Sequence, residues 1–292
     1  MSRFKDDLPF NFLALENQDP KKSKVWILPV PFEATVFNLG GTKEGPKAII
    51  EASRNIELFD EDLKKEISKI GIFTLPFLFL TKNSPKEAIL QLQRVVEEIL
   101  KSKKFPVILG GEHTLTLGSV LAFKQFFKID FSILQLDAHC DLRDELEGTK
   151  YHHATFARRI VEDLKIKICQ VGVRALSKEE FDFINKTKRK IKVFYKKNYN
   201  KKEILEFLTR KVYISLDLDV LDPSIMPSVG TPEPGGFLFE ELLGIIRDVA
   251  KEKEIVGFDI VELSPIPGLF APNYLAAKII SKVLGVIFEK KF

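Results

Sequence analysis

Three segments of the sequence carry side chains that commonly bind divalent metal ions, and each segment follows a run of apolar residues. In an extended chain, residues two positions apart point to the same side. The second and third segments have this spacing, so their side chains can converge on one point. The residues concerned are His113 in the first segment, Asp137, His139 and Asp141 in the second, and Asp217 and Asp219 in the third.

Two histidines and four aspartates that meet at one place carry too much negative charge for a single structural ion. Unpaired carboxylates packed together repel each other, and this repulsion would shift their pKa values upward. Two divalent cations would neutralise them. A carboxylate-rich set with one imidazole for each ion favours Mn²⁺ over zinc, which prefers thiolate and imidazole in a tetrahedral shell. The set predicts two Mn²⁺ ions, and zinc, iron, cobalt or nickel ions can also occupy such ligands.

All four histidines of the chain lie between residues 113 and 153, close to these segments. A single histidine is more often a core or surface residue than a ligand, and Asp-x-His-x-Asp alone is a short motif of moderate specificity. Asp217 and Asp219 alone could equally be solvated carboxylates at a strand end. The conjunction of the three segments favours a metal site.

Short apolar runs rich in strand-forming residues recur along the chain, at 25–30, 70–75, 106–109, 131–136, 166–173, 191–195, 212–218 and 255–261. Several are apolar nearly throughout, as in strands buried on both faces of a parallel sheet. We predict an α/β fold, a three-layer α/β/α sandwich with a mainly parallel sheet of about eight strands. Ligands bind beyond the carboxyl ends of such strands. Because no linker or low-complexity block divides the sequence, we predict one domain over residues 1–292.

Amphipathic helical patterns separate the apolar runs, and several have readable starts. A cap residue before proline is typical of a helix N-terminus, and a cap with Glu three residues later resembles a capping box. These signals stand at Ser84-Pro85, at Ser177 with Glu180, at Asn200 with Glu203, and near Pro272.

The composition excludes several other classes of protein. The 45 basic and 41 acidic residues nearly balance, and the lysine-rich stretches at 21–24 and 186–192 are short, so no nucleic-acid partner is expected. The apolar stretch at 70–80 is shorter than the about 20 residues that a membrane helix needs, so no membrane association is expected. Two cysteines and the lack of an apolar signal region near Met1 predict a cytoplasmic protein.

The three segments resemble the metal-binding signatures of the ureohydrolase family, which includes the arginases and agmatinases, and they occur in that family's order. The matching stretches are 110–113, 137–141 and 215–223, with further matches at 31–32, 41–46 and 230–236. They are spread over most of the chain, and their combination is highly specific. The resemblance implies an arginase-like version of the fold.

The resemblance also implies how the metal ions are held and used. Asp137 and Asp217 would bridge the two ions, and a hydroxide shared by the ions would attack the guanidinium carbon of a small-molecule substrate, releasing urea and an amine. The free oxygen of Asp141 would orient the hydroxide and pass a proton to the leaving nitrogen. The implied ligands are His113, Asp137, Asp141 and Asp217 for one ion, and Asp137, His139, Asp217 and Asp219 for the other.

Two further residues match functional positions of the family. Glu262 corresponds to the glutamate that pairs with the substrate guanidinium, a charge-assisted contact that would hold the planar group for attack. His153 corresponds to a mobile histidine that carries protons between bulk water and the amine, work that suits an imidazole. His152 is the weaker candidate, and otherwise a loop residue or a partner of other site residues.

Substrate choice in this family depends on the stretch after Asp141. Arginases carry Asn and Ser residues there that grip the amino-acid end of arginine, whereas residues 141–151 of this chain resemble agmatinases. Agmatine, which would yield putrescine for polyamine biosynthesis, is therefore favoured. N1-aminopropylagmatine, guanidinobutyrate, formiminoglutamate and arginine are alternatives. The acidic loop residues could attract an amine tail or be solvated charges; they are Asp144, Glu145 and Glu147.

The chain departs from the usual family pattern at Glu112, at Ala154 and at residues 37–39, without loss of a predicted ligand. Two other functions stay open. Carboxylate and histidine clusters also clamp phosphates, as in a two-metal phosphoesterase, but Arg143 is the only added cation at the motifs. A catalytically silent, metal-stabilised subunit is the other. The resemblance further implies a homo-oligomer, a trimer or hexamer.

Overall fold

The computed structural model describes residues 8–36, 40–127 and 130–289, which form a parallel eight-stranded sheet with helices on both faces. The strands are β1 (Val25–Val30), β2 (Phe59–Asp60), β3 (Lys65–Glu66), β4 (Ile72–Thr74), β5 (Phe105–Gly110), β6 (Phe131–Leu136), β7 (Lys167–Val173), β8 (Ile191–Tyr195), β9 (Lys211–Asp217) and β10 (Glu254–Val261). The strand order is β4-β1-β5-β10-β9-β6-β7-β8, and β2 and β3 form a separate antiparallel ribbon. The predicted fold class is confirmed.

The helices occupy the connections between the strands. They are α1 (Gly45–Ser53), α2 (Pro85–Lys101), α3 (Leu115–Phe126), α4 (Phe156–Glu162), α5 (Lys178–Lys186), α6 (Lys201–Phe207), α7 (Phe239–Glu252) and α8 (Ala271–Phe288). Helices α1, α7 and α8 pack together on one face, and α2, α3 and α4 on the other. The sheet is therefore covered on both sides.

The apolar runs form strands because alternate residues enter two different cores. In β5, Val107 and Leu109 belong to one core and Ile108 to the other. Since both faces are buried, nearly every position of such a strand must be apolar, as the continuous runs predict. The run at 70–75 gives a shorter strand, β4, because Ile67–Ile70 forms a 3-10 turn and Gly71 adopts a positive φ of 80°.

The predicted helix starts are also found. Ser84 Oγ accepts a hydrogen bond from Glu87 N at the start of α2, and Ser177 and Glu180 form a reciprocal capping box on α5. At α6 the Asn200 side chain caps Glu203 N, but the Glu203 carboxylate pairs with Lys192 at 2.6 Å instead of closing the box. Helix α8 carries Pro272 in its first turn.

Helix α8 is apolar and long enough to cross a membrane by length and composition, although the sequence analysis pointed only to the shorter stretch at 70–80. In the fold, 61% of this 18-residue span is buried. Its Lys282 ammonium is also buried and contacts three carboxylates around the β2–β3 ribbon, those of Asp60, Glu61 and Asp62. A buried cation with built-in partners is typical of a core helix.

Candidate metal centre

The predicted ligands lie at the carboxyl ends of neighbouring strands in the middle of the sheet. Strands β5, β10, β9 and β6 are adjacent, and each delivers candidate residues to the same edge. His113 follows β5, Asp137 follows β6, Asp217 ends β9 and Glu262 follows β10. Because parallel strands end at a common edge, residues far apart in sequence are brought together.

One group of ligand atoms surrounds His113. Its Nδ1 lies 3.0 Å from Asp217 Oδ2 and 3.3 Å from oxygens of both Asp137 and Asp141. All four side chains are buried. Within the described residues, Nδ1 makes no hydrogen bond despite these close oxygens. An imidazole nitrogen and three oxygens facing a common point without hydrogen-bond geometry fit a cation between them.

The second group surrounds His139. Its Nδ1 lies 2.7 Å from Asp219 Oδ2 and 3.7 Å from Asp137 Oδ1. His113, Asp137 and Asp217 on one side, and Asp137, His139 and Asp219 on the other, each present ligand atoms within 4.8 Å of one another. Asp137 belongs to both groups, so two ions held here would share its carboxylate.

The charge balance of the cluster also fits cations. Burial and the Asp219 and Asp137 charges raise the pKa of Asp217 well above its usual range, and burial with the Asp137 charge raises the pKa of Asp141 to about 7. Neighbouring carboxylates overcome burial and raise the pKa of His139 far above its ordinary value. Without positive charge, Asp141 and Asp217 resist ionisation, and His139 retains its proton. The donor set therefore suits divalent ions.

A buried hydrogen-bond chain behind His113, which the sequence analysis missed, fixes the orientation of its ring. Asp259 Oδ1 accepts a hydrogen bond from Ser215 Oγ at 2.8 Å, and Ser215 Oγ lies 2.9 Å from His113 Nε2. Because the single hydroxyl hydrogen of Ser215 points to Asp259, Ser215 accepts from Nε2–H, and Nδ1 keeps its lone pair for a ligand. A carboxylate inside the apolar β10 run was the available signal.

The local backbone of the site is irregular. Strand β6 ends before Asp137, and Asp141 adopts a left-handed φ of 52°. Asp219 lies in the 3-10 turn Leu218–Val220, where its amide donates to Asp217 Oδ1 at 2.8 Å. Left-handed conformations of residues other than glycine cost energy and cluster at functional sites.

Glu262 is fixed against the turn that carries His113. It has a φ of 66°, its amide donates to Gly111 O at 2.8 Å, and its Oε1 accepts from His113 N at 2.6 Å. A Cβ at Gly111 would lie 1.9 Å from Phe32 O, so only glycine allows this close approach. Burial raises the pKa of Glu262 to about 8.

The two adjacent histidines have different surroundings. His152 is buried, and its Nδ1 accepts from Ala154 N at 3.2 Å at the start of the 3-10 turn His153–Thr155. His153 lines the cavity described below, and its Nδ1 lies 3.2 Å from Thr35 Oγ1. Burial and the His152 charge lower the pKa of His153 to about 3. Of these two histidines, only His153 is among the described residues that line the cavity.

A cavity of about 440 Å³ opens onto the cluster. Its wall includes most of the predicted ligands together with His153 and Glu262. Of the loop after Asp141, Arg143 and Leu146 line the cavity. Among the described residues, the acidic side chains of that loop are not part of the wall, and Asp144 pairs with Arg159 at 2.7 Å. The departure noted at residues 37–39 lies outside the described residues.

The cavity wall also contains Glu233, whose position the sequence analysis did not anticipate. Its Oε1 lies 4.0 Å from His139 Nε2. The Arg174 guanidinium donates to Glu233 O at 2.8 Å and to Asp219 O at 2.6 Å. One arginine therefore ties the loop of Glu233 to the turn of Asp219.

Fold and site together define an α/β enzyme with a carboxylate-rich metal centre at the sheet edge. The Arginase family model matches residues 23–285, so the chain belongs to the arginase family of ureohydrolases. The N(1)-aminopropylagmatine ureohydrolase of Synechocystis sp. is 34% identical over 272 residues, covering 89% of this chain and 88% of that protein.

Two further relatives agree with this family. The agmatinase of Pyrococcus horikoshii is 32% identical, covering 94% of this chain and 95% of its own length. The crystal structure of agmatine ureohydrolase of Thermoplasma volcanium superimposes with a TM-score of 0.82 at 30% identity, covering 92% of this chain and 91% of that one.

Proposed function

We propose that the chain holds two Mn²⁺ ions at the six predicted ligands and hydrolyses the guanidinium group of an agmatine-type amine. One ion would be bound by His113, Asp137, Asp141 and Asp217, and the other by Asp137, His139, Asp217 and Asp219. The observation that carries the proposal is that one cavity is lined by members of both ligand groups, by Glu262 and by His153.

When bound at these ligands, the two ions would lower the pKa of water and so supply a nucleophile at neutral pH. Glu262 pairs with the guanidinium and holds its plane across the site. Water adds to the guanidinium carbon, the bond from carbon to the alkyl nitrogen breaks, and urea and the amine leave. Asp141 keeps one oxygen for the attacking water and passes its proton to the leaving nitrogen, while His153 exchanges protons with solvent.

The substrate tail is proposed to be an amine, in agmatine and in its N1-aminopropyl derivative. Glu233 supports this, because its carboxylate is on the wall of the same cavity, 4.0 Å from His139 Nε2, and would attract a cationic tail. Asp144 is less suited to this role than the sequence analysis allowed, since Arg159 and Lys150 already neutralise it. Relatives named N(1)-aminopropylagmatine ureohydrolase also support this substrate class.

A panel of guanidines, scored for urea with Mn²⁺ and with other metal ions, tests the proposal. We expect agmatine and N1-aminopropylagmatine to be hydrolysed with higher kcat/KM than arginine. Glu233→Gln should lower kcat/KM for both amines about fivefold, because a half-exposed charge contributes modestly. Glu240→Gln, on the surface helix α7, is the matched control. If no guanidine in the panel releases urea, the proposed function is wrong.

Arg143 favours a second candidate, a guanidine with a carboxylate tail such as guanidinobutyrate. Its side chain lines the cavity and has no ion-pair partner among the described residues. Arginine is well suited to bind a carboxylate in two-point fashion. The same panel separates the candidates. If the second candidate is right, the wild type should hydrolyse guanidinobutyrate better than agmatine, and Arg143→Gln should reduce turnover of guanidinobutyrate.

We expect Glu262→Gln to lower kcat/KM for the best guanidine by roughly 10²-fold, because a neutral amide replaces the charge that pairs with the guanidinium. Gln keeps an oxygen that can accept from His113 N, so the metal centre should persist. Steady-state kinetics and metal analysis of the purified variant check this. Loss of bound metal together with activity would contradict the assigned role.

We further propose that the enzyme is a homo-oligomer, a trimer or hexamer. It would act in the cytoplasm and supply an amine to polyamine biosynthesis. Exposed apolar side chains, among them Phe79 at 77% and Leu238 at 52%, support association. The free thiols of Cys140 and Cys169 support a reducing compartment. Light scattering of the purified protein measures the assembly directly.

A further inference from the structure

The hydroxyl group of Thr35 stands between a buried carboxylate and the ring of His153. Thr35 Oγ1 lies 2.9 Å from Glu112 Oε1 and 3.2 Å from His153 Nδ1, and it accepts from His153 N at 3.1 Å. Thr35 is 7% exposed and Glu112 is fully buried. The contact crosses 118 positions in sequence, from the loop after β1 to the turn before α4.

Glu112 is satisfied entirely as an acceptor. Its Oε2 accepts from the amides of Ala34 and Thr35, each at 2.7 Å. Its Oε1 accepts from the hydroxyls of Thr35 at 2.9 Å and Thr114 at 2.7 Å. An ionised carboxylate has room for four such donors. Glu112 therefore holds both the main chain and the side chain of Thr35 in place.

The direction of the single hydroxyl hydrogen of Thr35 determines the tautomer of the His153 ring. A hydrogen bond to a carboxylate is shorter and stronger than one to a neutral acceptor, and the contact to Glu112 is the shorter of the two. With its hydrogen directed to Glu112, the Thr35 oxygen can only accept from His153. It accepts from the amide and from Nδ1, so Nδ1 carries the hydrogen.

We infer that Thr35, held by Glu112, is a positioning residue that fixes His153 as the tautomer protonated on Nδ1. The inference rests on the proposed role of His153 as proton carrier. Nε2 is then the ring nitrogen that accepts and releases the travelling proton, while Nδ1–H stays bonded to Thr35. A ring that could adopt the other tautomer would spend part of its time with a hydrogen on Nε2. In that state Nε2 cannot accept a proton.

The kinetic test compares two substitutions at one position. Thr35→Val keeps the shape of the side chain but has no hydroxyl, and Thr35→Ser keeps the hydroxyl. We expect Thr35→Val to lower kcat about tenfold or more, with KM and bound metal close to wild type, because the substrate and ion contacts are untouched. Thr35→Ser should recover kcat to within about threefold of wild type.

The second measurement does not depend on turnover. Ring nitrogens labelled with ¹⁵N report the tautomer directly, and the chain has only four histidines. In metal-free protein, the resonances that disappear in His153→Asn belong to His153. We expect a protonated Nδ1 and an unprotonated Nε2 in the wild type and in Thr35→Ser, and a mixture of tautomers in Thr35→Val.

The outcomes separate this inference from the proposed function. A wild-type His153 with its hydrogen on Nε2, or a Thr35→Val variant with unchanged spectrum and kcat, would overturn the inference. A Thr35→Ser variant as impaired as Thr35→Val would do the same, since packing alone would then explain the loss. If the spectra match expectation but no guanidine is hydrolysed, the tautomer assignment stands and the proposed function fails.

Discussion

Asp137→Asn is expected to remove both metal ions and nearly all activity. Asp137 belongs to both ligand groups, and its oxygens also lie near the two histidines. A two-metal site contributes several kcal/mol to transition-state stabilisation, so kcat/KM for the best guanidine should fall by roughly 10³-fold or more. Metal analysis should find both ions lost together, because the shared carboxylate oxygen is replaced by an amide nitrogen.

A surface aspartate provides the matched control for this variant. Asn is the same size as Asp, and Gln135 Nε2, which donates to Asp137 Oδ2 at 2.6 Å, would face the amide that replaces it. Asp182→Asn, on the surface of α5 and paired with Lys178, should retain metal and activity. An Asp137→Asn enzyme that keeps one ion would show that the two groups are held independently.

The sheet could be predicted from sequence because burial on both faces leaves a strong pattern. β1, β6 and β8 have the predicted bounds, and the other sheet strands differ by a few residues. The β2–β3 ribbon left no such pattern, since each of its strands has two residues and its partners for Lys282 lie 220 to 222 positions away in sequence. The periodicity of apolar residues within a short segment cannot indicate a contact between residues so far apart in sequence.

The sequence predicted which side chains would meet, but strand alternation is not what brings all of them together. Alternation along a strand placed Asp137, His139 and Asp141 on one side, yet β6 ends at Leu136 and Asp141 has a left-handed backbone. Separate contacts position each side chain; for example, His139 N donates to Asp137 Oδ1 at 2.6 Å. Convergence held because the strands end at one edge, not because the chain stays extended.

The contacts of the supporting residues were beyond sequence reasoning, although the Asp259 carboxylate inside the apolar β10 run was a signal. Asp259 acts on His113 through Ser215, and Glu112 acts on His153 through Thr35. In both cases a buried carboxylate takes the hydrogen of a hydroxyl, and the hydroxyl oxygen faces an imidazole. One arrangement leaves a lone pair on Nδ1 for a ligand, and the other leaves it on Nε2 for a proton. Neither pairing has a spacing that a sequence pattern could contain.

The stabilisation of the fold by Mn²⁺ should increase as the pH rises. In metal-free protein, burial and the Asp137 charge raise the pKa of Asp141 to about 7, against about 3.9 in an unfolded chain. Between these values the native state binds more protons than the unfolded state, so its stability falls with rising pH. The raised pKa values of His113 and His139 act in the same direction from their unfolded value upward.

The shifted pKa of Asp137 changes the stability of the metal-free protein with pH in the opposite direction, and it does so in a lower pH range. The two histidines outweigh its burial and hold its pKa below the usual range, so its contribution is lost only as the pH falls below about 4. Above that range, the metal-free protein weakens with pH while ion binding tightens, because ligands must be deprotonated. The metal-bound and metal-free proteins should therefore diverge most on the alkaline side of neutrality.

Thermal unfolding after chelation and after reloading with Mn²⁺, at about pH 5.5 and about pH 8, measures this divergence. At a free ion concentration a thousand times Kd, each site adds about 4 kcal/mol, so we expect Tm at the higher pH to rise by more than about 10 °C. The gain at the lower pH should be a small fraction of that. Asp137→Asn serves as the control, since it lacks the shared ligand and should show little gain at either pH. An equal gain at both pH values in the wild type would mean that the carboxylates are already ionised without metal, and that the buried cluster is neutralised in some other way.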